Sequence, residues 1–201
     1  MDQEQIYEKF LGIKTDDEEI VPGLTKELEY SLYEASEYEG LIRVFDELTL
    51  SEDDCLVDFG CGMGRVLFYC NQRFRCRVTG IEYDQEIYDR LCDNAEYFLV
   101  RFRDQRRNIH LLHMKAQDYD IDKCDNIFYM FNPFGEETLR QVMDKITESV
   151  KQTPRDVKII LYYCTNSMLN VMRDYKLTLY KVIKLPSYRL DPYEKVYIYS
   201  I

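Results

Sequence analysis

Apolar residues gather in short runs over residues 55–59, 77–82, 109–113, 126–131 and 157–163, most of them carrying β-branched or aromatic side chains. Runs of this kind predict buried strands. Between two of them, Ile87, Leu91, Ala95, Phe98 and Phe102 recur close to a 3.6-residue period, predicting a helix over residues 85–103. Leu139, Val142, Met143, Ile146 and Val150 do the same over residues 136–151, and a shorter helical stripe covers residues 41–48. Strands separated by helices of this length make βαβ units and a parallel sheet covered on both faces. The end of the chain differs. Residues 177–184 and 195–200 are strand-like, and the loop between them, with Pro186 and Pro192, is too short for a crossover helix. They predict an antiparallel hairpin. The expected fold is therefore α/β: a doubly wound, mostly parallel seven-stranded sheet with a reversed strand in the C-terminal hairpin.

The chain has 201 residues, 46% of them hydrophobic, which suits one folded unit. Residues 1–30 show no firm period and are read as short helices or a flap. This gives an acidic cap or flap over residues 1–32, followed by one domain over 33–201. The longest apolar runs, such as Ile159 to Cys164, are far below the roughly 20 residues of a membrane helix. The start, Met1-Asp2-Gln3-Glu4-Gln5, leads into no apolar stretch. The expectation is a cytoplasmic protein with no membrane partner.

Net charge is −11, unevenly distributed: residues 1–54 hold 17 acidic and 4 basic side chains, the remainder 20 and 22. An acidic leader on a near-neutral body repels phosphate backbones, so a nucleic-acid partner is not expected. The leader reads as a solvated face, with a lid or a docking surface for a basic partner as the alternative. Seven cysteines, none in Cys-x-x-Cys spacing, point to reduced, mostly buried thiols. His110 and His113, the two histidines, would leave a strand on opposite faces, so no metal site is expected.

The segment Leu56-Val57-Asp58-Phe59-Gly60-Cys61-Gly62-Met63-Gly64-Arg65 carries the chemistry. A strand bearing an acid near its end enters alternating glycines and then a helix. Glycines allow positive φ and close approach of a ligand, and the helix start offers unpaired N–H groups. Glu82 ends the second strand eighteen residues after Gly64. Doubly wound nucleotide sites place there the acid that accepts both ribose hydroxyls. A dinucleotide fingerprint needs Gly or Ala where this chain has Arg65, which disfavours a nicotinamide enzyme.

The spacing Asp-x-Gly-x-Gly-x-Gly resembles motif I of class I S-adenosylmethionine-dependent methyltransferases, which implies a Rossmann-like fold and that cofactor. The resemblance implies cofactor roles for Asp58, Gly60, Cys61, Gly62, Gly64 and Glu82, and for Asp118 in Ala116-Gln117-Asp118 against the adenine amino group. Asn132-Pro133-Phe134-Gly135, after the fourth strand, resembles motif IV of amino-group methyltransferases with one Pro instead of two. It implies catalytic roles for Asn132, Pro133 and Phe134. Asn132 can offer a carbonyl acceptor to an incoming N–H, Pro133 stiffens the turn and Phe134 can form a flat apolar wall. The order of segments across residues 33–150 is also similar to small bacterial methyltransferases and to the non-SET histone-lysine methyltransferases. That likeness implies Tyr33, Glu34 and Tyr38 as closers of the methionine end.

The resulting expectation is methyl transfer to an amine, including a protein lysine among the candidates. A small-molecule or nucleic-acid amine, or a non-catalytic cofactor-binding scaffold, remains as an alternative. Tyr129, Tyr162 and Tyr163 lie near strand ends and are the candidate bases.

Overall fold

The computed structural model describes residues 2–16 and 33–201. Seven strands form one sheet: β1 (Cys55–Phe59), β2 (Arg77–Glu82), β3 (Ile109–His113), β4 (Ile127–Phe131), β5 (Lys158–Tyr162), β6 (Thr178–Lys184) and β7 (Lys195–Ser200). Their order is β3-β2-β1-β4-β5-β7-β6. Strands β1 to β5 are parallel, and β7 runs antiparallel to both β5 and β6. The described helices are α1 (Gln3–Leu11), α2 (Tyr38–Phe45), α3 (Arg65–Phe74), α4 (Gln85–Arg101), α5 (Glu136–Gln152) and α6 (Asn166–Met172). The mixed, mostly parallel sheet and its reversed last strand agree with the hydrophobic pattern.

Strand alternation sorts the core into two halves. Leu56, Ile127, Tyr129 and Ile160 pack with Leu41, Leu67, Leu91 and Phe98 from α2, α3 and α4. Val57, Phe128, Met130 and Ile159 pack with Leu139, Val142 and Ile146 from α5 and Met168 from α6. Both faces of the central strands are covered, which is why those strands read as continuous apolar runs rather than alternating ones. Each fully buried Leu or Phe contributes about 1.5–3 kcal/mol relative to exposure.

Several boundaries differ from the pattern. Helix α4 stops at Arg101, and a 3₁₀ segment over Arg103–Asn108 replaces its expected last turn. Helix α2 begins at Tyr38 and ends at Phe45, earlier than the stripe suggested. Helix α6 has only seven residues, too few to display a period, and is started by the Thr165 side chain, which accepts from the Met168 N–H. In the expected cap, Asp2 caps α1, and Leu11 and Ile13 are buried in the core on the α2–α4 side. Residues 17–32 of the cap lie outside the described residues. Among the described residues no helix is long and apolar enough to cross a membrane.

The strand order reverses direction between β1 and β4. An open α/β sheet binds ligands outside the carboxyl ends of its strands at such a point.

Candidate active site

The loop from Gly60 to Gly64 occupies that point. Gly60 and Gly62 have φ of 73° and 54°, in the left-handed region. A Cβ on Gly60 would lie 2.6 Å from Cβ of Pro133, and one on Gly62 only 2.2 Å from the Tyr33 ring. Backbone conformation and close approach therefore both require glycine here. The N–H groups of Gly60 and Cys61 both donate to the Ile81 carbonyl of β2, at 2.9 and 3.0 Å. The Gly62 N–H donates to Oε2 of Glu82 at 3.0 Å. Cys61 is buried, and burial pushes its thiol well up, so it packs as a neutral side chain. Gly64 caps α3 with no side-chain hydrogen bond.

Glu82 holds this loop from the next strand. Its Oε1 accepts from the N–H groups of Tyr83 and Asp84, both at 2.8 Å, and Asp84 in turn caps α4. Burial raises the Glu82 carboxyl above its ordinary range, while those backbone N–H groups oppose the rise. A carboxylate offers about four lone-pair positions, so the three backbone bonds leave room for a further donor.

Asp58 is 2% exposed and lines a cleft that Gly60, Cys61, Tyr33, Glu34 and Phe131 also border. Among the described residues its carboxylate has no hydrogen-bond or ion-pair partner. Burial first, and the Glu82 charge second, push Asp58 well above the usual carboxylate range. A buried, unpaired carboxylate is costly until a cation reaches it. A cationic ammonium beside a sugar and a base fits this set of acceptors. Gln117 adds to it: its Oε1 is buried without a partner among the described residues, one residue from Asp118, which is exposed at the end of the 3₁₀ turn Ala116–Asp118.

Two expected site residues lie elsewhere. Tyr38 is fully buried, stacks on Tyr7 with ring centres 4.6 Å apart and donates to Glu8 Oε1 at 3.2 Å. As the first residue of α2 it belongs to the core and does not line the cleft. Phe134 is 5% exposed and sits in the core beneath α5. Asn132 has a φ of 40°, and this left-handed turn breaks the strand alternation and sends Phe134 inward. Phe131 borders the cleft in its place. Asn132 and Pro133 are half-buried, with Pro133 against Gly60.

The tyrosines considered as bases are unsuited to the task. Tyr129 is fully buried, its hydroxyl 2.7 Å from Ser36 Oγ, and burial pushes it well above its ordinary value. Burial likewise raises Tyr162. Tyr163 donates to Asp191 at 2.6 Å, and that bond above all pushes it up to about 12.

Arg65 is the feature that sequence reasoning missed. Its side chain is 4% exposed and pairs with Glu4 and Asp16, both at 2.5 Å, and with Glu8 at 3.4 Å. It also donates to Thr15 Oγ1 at 2.6 Å and to the Ser36 carbonyl at 3.1 Å, and lies over the Tyr38 ring. Tyr33 then donates to the Thr15 carbonyl at 2.7 Å. A cation in the first turn of a helix opposes the helix dipole, and the leader's acids compensate it. The leader is thus more than a solvated face: Glu4, Glu8 and Asp16 fasten it to α3.

A doubly wound sheet in this strand order, with a glycine loop after its first strand and acids ending its first two, defines the class I methyltransferase fold. Residues 56–153 match the family described as a methyltransferase domain. An RNA methyltransferase from Salinibacter ruber, solved with S-adenosyl-L-homocysteine, shares the fold with a TM-score of 0.61 at 14% identity, over 84% of this chain and 94% of that one. The geranyl diphosphate C-methyltransferase of Streptomyces coelicolor A3(2), solved with the same compound, gives 0.55 at 15% identity, over 81% and 77%. A histone-lysine N-methyltransferase of Dictyostelium discoideum, specific for histone H3 lysine-79, is 31% identical over 105 residues, covering 45% of this chain. The chain matches only 5% of the length of that relative.

Proposed function

We propose that the whole chain is an S-adenosylmethionine-dependent methyltransferase acting on an amine. The observation that carries this reading is the buried Asp58 carboxylate, without a partner among the described residues, beside a glycine loop held by Glu82. In it, Asp58 faces the cofactor ammonium, and Glu82 fixes the loop while its free lone pair accepts from a ribose hydroxyl. Asp118, with Gln117 beside it, faces the adenine amino group. Tyr33 and Glu34 close the methionine end, and Cys61 and Gly64 shape the loop. The bound cofactor supplies a methyl group activated on a sulfonium. Asn132 accepts from the acceptor N–H on a turn stiffened by Pro133, which positions the nitrogen. The Phe131 ring gives that nitrogen an apolar neighbour, and an apolar neighbour favours the neutral form that has a free lone pair. The relatives named above methylate RNA, a small molecule and a histone lysine by their descriptions; the amine reading rests on Asn132 and on the acidic leader, which disfavours a nucleic acid. Seven unpaired thiols suit a reducing cytoplasm.

Titration calorimetry tests the reading: S-adenosylmethionine binds the wild type, and Glu82→Ala weakens binding about 10- to 150-fold through loss of charge-assisted hydrogen bonds. Absence of binding heat with a folded wild type rejects it.

A further inference from the structure

Helix α4 buries a face made of Ile87, Leu91, Ala95 and Phe98, and one polar side chain lies within it. Asn94 is 5% exposed. Packing alone asks for an apolar residue there, because a buried carboxamide is costly unless its hydrogen bonds are made. Asn94 makes three. Its Oδ1 accepts from the Lys14 N–H at 2.9 Å, and its Nδ2 donates to the Lys14 carbonyl at 2.9 Å and to the Met63 carbonyl at 3.0 Å. Every partner is a backbone group, so the carboxamide fixes where two segments run and is indifferent to their side chains. One segment is the leader just after α1. The other is the glycine loop, where Met63 stands between Gly62 and Gly64.

The loop and the leader meet at neighbouring points. A Cβ on Gly64 would lie 2.6 Å from Cδ1 of Leu91, so α4 also abuts the loop one turn before Asn94. The Tyr33 ring covers Gly62 while its hydroxyl donates to the Thr15 carbonyl at 2.7 Å. Lys14 is thus joined to Met63 through Asn94, and Thr15 to Gly62 through Tyr33. Helix α4 holds α1 as well: Arg101 donates to the Lys9 carbonyl and, at 2.8 Å, to the Phe10 carbonyl. The residues that border the cleft include none from α1.

We infer that Asn94 is a positioning residue that couples docking of the leader to the pose of the glycine loop, so that cofactor binding tightens the leader and the docked leader favours cofactor binding. This rests on the cofactor reading of the loop and adds the regulation of that site. Glu82 holds the Gly62 N–H and Asn94 the next carbonyl, that of Met63. A ligand that favours one pose of these groups favours the pose in which the Lys14 backbone finds its partner. Arg65 fastens the leader to α3, whereas Asn94 bonds leader and loop through one side chain. Linkage between two binding equilibria is reciprocal, so the effect has to appear from both ends.

Hydrogen exchange of the α1 amides in the full chain, with and without saturating S-adenosylhomocysteine, tests this. In the wild type the ligand is expected to slow their exchange about tenfold, within the usual span of coupling between sites. Asn94→Asp keeps the size and the acceptor for the Lys14 N–H, but its carboxylate has no hydrogen for either carbonyl. Calorimetry is expected to find S-adenosylhomocysteine bound about tenfold more weakly by this variant, and at saturation its α1 amides gain about twofold protection or less. Asn94→Ala gives the same pair of results should the Asp variant fail to fold. A side chain with a structural role only would quicken α1 exchange equally with and without ligand, leaving the ligand-induced ratio and the affinity as in the wild type. That outcome overturns the inference, as does a wild type that binds the ligand with no response in α1, and in both cases the cofactor reading stands. Absence of S-adenosylhomocysteine binding to folded wild type overturns both.

Discussion

Asp58 is buried in surroundings that disfavour its charge until a cation reaches it. Its raised carboxyl makes a contribution to stability that is fully present below the ordinary value of 3.8 and is lost as pH rises through the higher folded-state value. At neutral pH the free protein therefore bears an ionised group that it buries poorly, or a proton that the cation must displace. Asp58→Asn removes that burden. Urea unfolding at pH 8 is expected to find the ligand-free variant more stable by about 1–3 kcal/mol, with the gain shrinking towards pH 4. The same variant binds S-adenosylmethionine more weakly. A variant less stable than the wild type at pH 8 contradicts this account of Asp58. Glu82 differs because three backbone N–H groups already stabilise its charge. Its removal therefore loosens the loop as well as the ligand, which is why Glu82→Ala has the larger expected binding defect.

At the scale of elements, α1 and the segment over residues 33–37 are joined to α3 through one guanidinium. Replacing Arg65 with Met keeps much of its volume but leaves Glu4, Glu8 and Asp16 without their shared partner. Breaking a buried pair costs about 3–5 kcal/mol, and the partial exposure of Glu4 and Asp16 puts this variant near the lower end. Hydrogen exchange is expected to quicken first in the α1 amides, and cofactor affinity falls because Tyr33 loses its fixed anchor at Thr15. Unchanged protection of α1 contradicts that role. The elements themselves were legible to different degrees. Helices α4 and α5 are long enough for their apolar stripe to repeat, and the central strands are apolar throughout because both faces are covered. Helix α6 is shorter than two full repeats of the pattern and depends on the Thr165 cap. Helix α2 was displaced from its stripe because Tyr38 and Gly40 begin it, and Gly40 packs against the Tyr162 hydroxyl.

Over the whole molecule, the charge asymmetry has a structural explanation that no local window contains. Part of the acidic leader compensates Arg65, and Glu34 borders the cleft. The glycine loop was legible because its requirements are local: positive φ, a strand before it, a helix after it and an acid ending the next strand. The Arg65 cluster was not, because its acidic partners and Thr15 lie about fifty or more residues away in the sequence. Tyr38 and Phe134 were misplaced for a related reason. Residue type and neighbourhood marked them as site residues, but a helix start and a left-handed turn decided which way they face. The central claim is that Asp58, the glycine loop and Glu82 together hold S-adenosylmethionine. A crystal structure with S-adenosylhomocysteine tests it most directly. The account predicts the ligand ammonium within about 3 Å of the Asp58 carboxylate, with a ribose hydroxyl on Glu82. A ligand bound elsewhere, or Asp58 facing no cation, contradicts it.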